Sequence, residues 1–184
     1  DLSRLPEATA WLRELELDPV LVAPGMAVIG AARIVVDPRR KAHRGYGHMA
    51  IHPYPIEMVA DVALPDGRHL HVRPIRPEDA EMERAFVAGL SDQTRYFRFF
   101  YQLHELTPTM LARFTQVDYD REMALIAVDE AGVAPAIVGV ARYIMGPDQE
   151  SAEFAVVVAD AWHGKGVAWN LMARLVDCAK ARGL

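Results

Sequence analysis

The residues best placed to do chemistry lie in the stretch 151–184, which reads SAEFAVVVADAWHGKGVAWNLMARLVDCAKARGL. An acidic residue, Glu153, leads into an apolar run. His163, Gly164, Lys165 and Gly166 then make a glycine-rich turn, and an amphipathic pattern begins at Val167. Glycines just before a helix let successive backbone N–H groups point into one concavity, where the helix dipole also favours an anion. Lys165 adds a positive charge at the rim. Phosphate is the natural ligand for such a turn, and spacing separates the known forms. A Walker loop needs a hydroxyl residue after its Lys, but Gly166 follows Lys165. A dinucleotide fingerprint needs a six-residue glycine spacing, which is missing. Taken alone, a glycine turn that serves only to reverse the chain fits equally well.

The turn must be held by the elements around it. Val167, Ala168, Leu171, Met172, Leu175, Val176 and Ala179 form one helical stripe, with Gly183 as its C-terminal cap. Before the turn, residues 123–128, 136–145 and 152–158 read as strands, the first two flanking the turn residues Asp129 to Gly132. Further upstream, Asp66-Gly67 separates strands over 58–64 and 68–74, with His69 and His71 on one exposed face. Pro77, Glu78 and Asp79 start a helix that runs to about Gly89 and buries Ala80, Phe86 and Val87. Ser91 caps a second helix over 91–101, whose aromatic residues Tyr96, Phe97, Phe99 and Phe100 read as core and channel wall. Thr107-Pro108 opens a third, with Met110, Leu111 and Phe114 inward. The order strand, helices, strands, helix is that of an α+β sheet domain.

Composition bounds the function. An apolar fraction of 52% in 184 residues supports a sizeable core. A net charge of -5 with scattered Arg and Lys argues against nucleic acid as the main partner. The single cysteine, Cys178, forms no intramolecular disulfide and no zinc cluster, so the expected compartment is reducing and cytoplasmic. The apolar runs are too short for a membrane span, and no metal site is expected.

The first third of the chain has a different character. A short helix is expected over 5–15, then strands over 14–22 and 26–36 around Ala23-Pro24-Gly25. Residues 38–57 are rich in basic residues, His, Gly and Pro, without periodicity, and read as a linker whose His43, His48 and His52 are solvated. The expected organisation is therefore 1–37, a linker over 38–57, and a second domain over 58–184. The lack of an initial Met and the stop at Arg182-Gly183-Leu184 read as cut ends.

The turn resembles the acetyl-CoA loop of the GNAT acetyltransferase superfamily. That loop has Gln or Arg, two residues, Gly, one residue, then Gly or Ala; here His163 stands at the first position and Gly164, Lys165, Gly166, Val167 and Ala168 follow the pattern. Glu153 lies ten positions before His163, where the family often carries its general base. The blocks QVDYDREMALIAV and AEFAVVV, with HMAIHPYP and LHVRPIRPEDAE before them, resemble bacterial protein lysine acetyltransferases that fuse an acyl-CoA synthetase-like region to a C-terminal GNAT domain. Residues 1–37 resemble the end of an ATP-grasp domain of NDP-forming acyl-CoA synthetases, with Glu16, Leu17, Asp18 and Pro19, then Ala31, Ala32 and Arg33. Ala31 stands where that family has a metal-binding Asp.

The resemblance implies a mixed, mostly antiparallel sheet flanked by helices, with its C-terminal part missing. It implies acetyl-CoA as substrate, held by His163 to Ala168 and by the backbone of Val156, Val157 and Val158. It also implies a lysine acceptor, with an acyl-CoA synthetase as the expected target. Lysine, with an ordinary pKa of about 10.4, needs a base. Glu153 is the first candidate, with Ala155 and Val157 on its face as an apolar setting that strengthens it. Asp120 and Glu122, with Asp118, are second candidates or substrate holders. An unpaired edge at 152–158 invites dimerisation or swapping. Two other functions remain open: a domain that senses acetyl-CoA without catalysis, and part of an ADP-forming acyl-CoA ligase.

Overall fold

The computed structural model describes residues 12–37, 52–101, 105–148 and 150–184. The chain divides into two compact units, Asp1–His52 and Pro53–Leu184. Residues 5–11 of the expected first helix, the linker stretch 38–51 with His43 and His48, and residues 102–104 lie outside the described residues.

The first unit is a broken hairpin of four short strands, β1 (Leu12–Leu17), β2 (Val20–Ala23), β3 (Met26–Ile29) and β4 (Ala32–Val36). β1 pairs antiparallel with β4, and β2 with β3. Residues 12–15, expected at the end of a helix, are strand. Leu15 and Leu17 alternate with Glu14 and Glu16, and Arg33 on β4 reaches both acids at 3.2 and 3.5 Å, so the period of two prevails over the helical one. Each expected long strand is interrupted once, at Asp18-Pro19 and at Gly30-Ala31. Pro19 has no N–H for the ladder, and a Cβ on Gly30 would lie 2.9 Å from the Pro19 ring.

The second unit is built on a five-stranded antiparallel sheet in the order β5 (Ala60–Ala63), β6 (His69–Pro74), β7 (Glu122–Asp129), β8 (Ala136–Met145), β9 (Ala152–Val158). Helices α1 (Ala80–Gly89), α2 (Asp92–Phe99) and α3 (Pro108–Thr115) separate β6 from β7, and α4 (Val167–Ala181) follows β9. β7 explains the layering. Met123, Leu125 and Ala127 face one cluster with Leu171 and Leu175 of α4, while Ala124, Ile126 and Val128 face another with Phe86, Val87 and Leu111 of α1 and α3. A strand apolar on both faces requires cover on both. Full burial of a side chain such as Leu171 contributes about 1.5–3 kcal/mol.

Local chemistry closes the elements. Ser91 and Thr107 each accept the N–H three residues on, Thr94 and Met110, as helix caps. α4 ends with Gly183 at φ +88, its N–H reaching Lys180 and that of Leu184 reaching Ala179, the paired bonds of a Schellman cap. Asp79 is buried rather than merely facing the helix dipole. Its carboxylate takes two bonds from Arg73 at 2.6 and 2.7 Å and one from the Arg76 N–H at 2.7 Å, tying β6 to the start of α1. Tyr54, from the expected linker, donates to the Pro74 carbonyl at 3.0 Å and meets Tyr119 edge-on at 5.7 Å.

Three expectations about faces are corrected. On α2, Tyr96, Phe97 and Phe100 are exposed, Phe100 by 79%. This short helix turns Phe99 inward as expected, its ring stacked on Phe114 at 6.1 Å, together with Arg95 and Arg98. On α4, Ala168 and Val176 are exposed, so the buried stripe narrows to Val167, Leu171 and Leu175 at a spacing of four. On α1, Ala80 is half-buried, and Glu83 is buried with Phe86 and Val87.

α4 can approach the sheet because β8 has no side chain at Gly139. A Cβ there would lie 3.0 Å from Val167 Cγ1 and 3.1 Å from Leu171 Cδ1. Overpacking costs about 1–3 kcal/mol, against less than about 1 kcal/mol gained from a stiffer unfolded chain. Gly139→Ala is expected to lower stability by about 1–2 kcal/mol, read as a lower urea midpoint with an unchanged slope.

Candidate functional site

The glycine turn leaves β9 through a short 3-10 turn, Asp160–Trp162. Trp162 is the anchor. Its ring is buried, Arg68 lies over it at 3.8 Å, and Lys165 lies 5.7 Å from its centroid. Arg68 is held in turn by Asp66 at 2.7 and 2.9 Å, and this pairing with Arg68 holds the Asp66 carboxyl below its ordinary range. The Lys165 ammonium turns back to the Ala161 carbonyl at 2.6 Å, where the sequence placed it at an open rim. His163 Nε2 lies 2.8 Å from the Val158 carbonyl.

Gly164 and Gly166 have φ of +71 and +85. Two left-handed residues separated by one turn the chain into a concave nest of N–H groups. Gly166 is also the N-cap of α4 and has no side chain to cap it. The first bonds into α4 run from the Asn170 N–H and side-chain amide to the Gly166 carbonyl, at 3.1 and 3.0 Å. The N–H groups of Val167, Ala168 and Trp169 precede that first bond and have no intrahelical acceptor. Such N–H groups at a helix start suit an anion. Trp169, 78% exposed, flanks them.

β9 is the outer strand, paired on one side with β8. The Ala159 N–H donates to Val138 of β8, so strand alternation turns the N–H groups of Val156 and Val158 to the open edge and that of Val157 to β8. The open edge and the loop therefore meet at Val158. Glu153 lies at the other end of β9, about 16 Å away along the strand.

Glu153 is exposed, not set among apolar groups as expected. Its neighbours on the same face, Ala155 and Val157, lie farther along β9, toward the covered end. Glu153 and Glu122 both sit opposite Ile144 of β8. They therefore share one face, about 10 Å apart across two strand spacings. Glu122 is buried and takes two bonds from Arg113 at 2.6 and 2.9 Å. Asp118 organises the turn before it, accepting the N–H groups of Asp120, Arg121 and Glu122 at 2.9, 3.0 and 3.3 Å. Tyr119 takes a left-handed backbone, φ +57, and donates its hydroxyl to Ile75 at 2.7 Å; burial pushes its phenol up to about 12. Asp120 is exposed, and its carbonyl accepts from Arg182, at the C-terminal cap of α4, at 3.1 Å.

Sequence patterns missed the charged group under α1 on that same face. Arg142 of β8 is buried, donates to the Arg113 and Phe114 carbonyls at the end of α3, and lies 5.1 Å over the Phe114 ring. Glu83 shares the field of Arg142 and Arg98, yet its Oε2 has no hydrogen-bond partner among the described residues. Burial outweighs the two arginines and pushes Glu83 up to about 7. The only available signal was a Glu at a helical position between Ala80 and Phe86, which looks like any exposed helix residue. Among the described residues, no group of His, Cys, Asp and Glu could hold a metal ion, and no helix is long and apolar enough to cross a membrane.

The model of the acetyltransferase (GNAT) family matches residues 88–184. The chain is 38% identical over 121 residues to acetyltransferase PA5475 of Pseudomonas aeruginosa, an alignment covering 66% of this chain and 65% of that protein. It thus spans just under two thirds of that curated relative. Among solved structures, the GNAT domain of S. lividans PAT matches with a TM-score of 0.66 and 33% identity, over 72% of this chain and 77% of that domain.

The raised pKa of Glu83 has a sign that can be checked. A carboxyl whose folded pKa lies above its unfolded value contributes stability below the unfolded pKa and loses it as pH rises through the folded one. Stability should therefore fall between about pH 4.5 and pH 7. Denaturant titrations across that window should show the slope flattened in Glu83→Gln, by on the order of 3 kcal/mol in total.

Proposed function

The chain belongs to the acetyltransferase (GNAT) family, and from that premise we propose that it moves an acetyl group from acetyl-CoA to a lysine side chain of a protein, with Glu153 as general base. One observation carries the reading: an anion nest and an acidic side chain occupy the two ends of the same open-edged strand. The nest at Gly164–Gly166 and the first N–H groups of α4 suit a pyrophosphate. The edge N–H groups of Val156 and Val158 suit the amides of a pantetheine arm that runs along β9 toward Glu153. Of the remaining residues assigned to the coenzyme, Val157 lines this strand, and His163 and Lys165 shape the loop rather than reach out from it. Val167 and Ala168 contribute backbone donors.

In this reading the Glu153 carboxylate takes a proton from the lysine ammonium. The amine nitrogen then bonds to the acetyl carbonyl carbon, the carbon–sulfur bond breaks, and coenzyme A leaves as a thiolate that takes up the proton the nitrogen releases as it becomes an amide. An edge N–H of β9 receives the charge that develops on the carbonyl oxygen. Because Glu153 is exposed, the desolvation that strengthens it as a base comes from the bound acceptor and coenzyme. Glu122, paired with Arg113, and Asp120, beside it in the same turn, then serve to receive the acceptor on the face they share with Glu153 or at its rim.

A protein acceptor, with an acyl-CoA synthetase as the specific target, is supported by the QVDYDREMALIAV and AEFAVVV blocks and by the similarity to the GNAT domain of S. lividans PAT. The reading of residues 1–37 as the end of an ATP-grasp-like domain rests on the hairpin and on the Glu16 to Pro19 pattern, and Ala31 argues against ligase chemistry there. A cytoplasmic setting and pairing of two chains through the β9 edge belong to the same proposal.

Transfer of labelled acetyl from acetyl-CoA to candidate protein lysines, followed by mass spectrometry, tests it. Glu153→Gln should lower kcat/KM about 10²–10⁴-fold while calorimetry gives an unchanged acetyl-CoA affinity. Undiminished turnover would remove Glu153 as the base. Acetyl-CoA binding without transfer to any lysine by the unaltered chain would favour a sensor instead.

A further inference from the structure

Asp160, the first residue of the 3-10 turn that leads into the glycine loop, does not point into that loop. Its carboxylate accepts the Ser91 N–H at 2.9 Å, the Ser91 hydroxyl at 2.7 Å and the Thr94 hydroxyl at 2.7 Å. Ser91 is the N-cap of α2, and its oxygen accepts the Thr94 N–H at 3.2 Å. The single hydroxyl proton of Ser91 goes to the carboxylate, which leaves its 3.1 Å approach to Thr94 Oγ1 as a contact between oxygens. The cap of one helix and the entry to the loop thus share one side chain, across 66 to 69 residues of sequence. These three donors hold the Asp160 carboxyl far below the ordinary carboxylate range, so it is ionised at every pH at which the fold is useful.

The arrangement is unusual for a surface acid. Asp160 is exposed, and water could serve it as well; three protein donors converge on it instead. A free carboxylate beside a nest built for an anion would also repel that anion. Turning it away and satisfying it with donors from α2 removes part of that cost. The turn itself is short and tightly bonded: the Trp162 N–H reaches Ala159 at 2.8 Å, the His163 N–H reaches the Asp160 carbonyl at 3.2 Å, and the Ala159 N–H reaches Val138 at 2.9 Å. Between Val158 and Gly166 there is little slack, so a ligand that fixes the nest also fixes the position of Asp160. Beyond the first turn, α2 carries the exposed Tyr96 and Phe97, with exposed Phe100 as its C-terminal cap, and Arg98 beside buried Glu83. That is the side of the sheet to which Glu153 belongs.

We propose that Asp160 is a positioning residue that couples the coenzyme loop to α2, so that filling the loop orders the first turn of the helix flanking the acceptor face. The inference rests on the reading of the loop as an acetyl-CoA site. It assigns to Asp160, Ser91 and Thr94 a role that involves no contact with either substrate. Because coupling is reciprocal, an acceptor that orders α2 tightens the loop around the coenzyme by the same factor.

Hydrogen exchange on the whole chain, with and without saturating coenzyme A, tests it, read at the amides of Thr94 and Arg95. In the unaltered chain coenzyme A should slow their exchange about tenfold. In Asp160→Asn, and separately in Thr94→Val, which keeps the shape of the side chain and removes its donor, the added protection should fall below about twofold. A merely structural tie would raise exchange equally with and without coenzyme A and leave the ratio unchanged, which overturns the proposal. Calorimetry on the same samples separates the two levels. No coenzyme A binding by the unaltered chain overturns the loop reading and the coupling with it; binding with no change at α2 overturns the coupling alone.

Discussion

The bare Cα at Gly139 sets the position of everything at the site. Val167 and Leu171 occupy the space that a Cβ there would need, so the N-terminus of α4 lies against β8 and beside the end of β9. A helix held off by one methyl group would carry its uncapped N–H groups away from the open strand edge. The loop geometry proposed to hold an anion is therefore a product of packing as much as of the two left-handed glycines. The apolar cluster of Leu171, Leu175, Trp162 and the α4-facing half of β7 supplies the energy that holds it there.

The loop is also preorganised by its own side chains. Arg68 over Trp162, Lys165 on the Ala161 carbonyl and His163 near the Val158 carbonyl each satisfy a group that would otherwise seek a ligand or water. These bonds engage side chains, and the backbone N–H groups at the start of α4 are the part that the proposed anion uses. Donors held in place before binding cost little to use, which is how fixed dipoles outperform mobile water.

The opposite face of the sheet is organised by charge. Arg73 with Asp79 and Arg113 with Glu122 are partly or wholly buried pairs with two bonds each. Breaking such a pair leaves one charge uncompensated, at about 3–5 kcal/mol when both partners are buried. Glu83 is the exception, a buried carboxyl without a bonded cation, and burial pushes its pKa up to about 7. This face thus combines fixed ion pairs with the titratable Glu83, while Glu153, at its edge, is exposed to solvent.

Much of the second unit was legible in the sequence, because its signals are local. Turn residues at Asp66-Gly67, caps at Ser91 and Thr107, the apolar run along β9 and the spacing of four along α4 depend on neighbours within a few positions, and the elements follow from them. The family motif marked the loop for the same reason. What only the tertiary structure decided depends on partners far along the chain: the exposure of Glu153 and of the α2 rings, the burial of Glu83 and Asp79, the retreat of Lys165 onto its own loop, and the meeting of Asp160 with Ser91. A side chain's solvent exposure and its hydrogen-bond partners are set by which elements pack together. Residue type and periodicity do not encode that pairing.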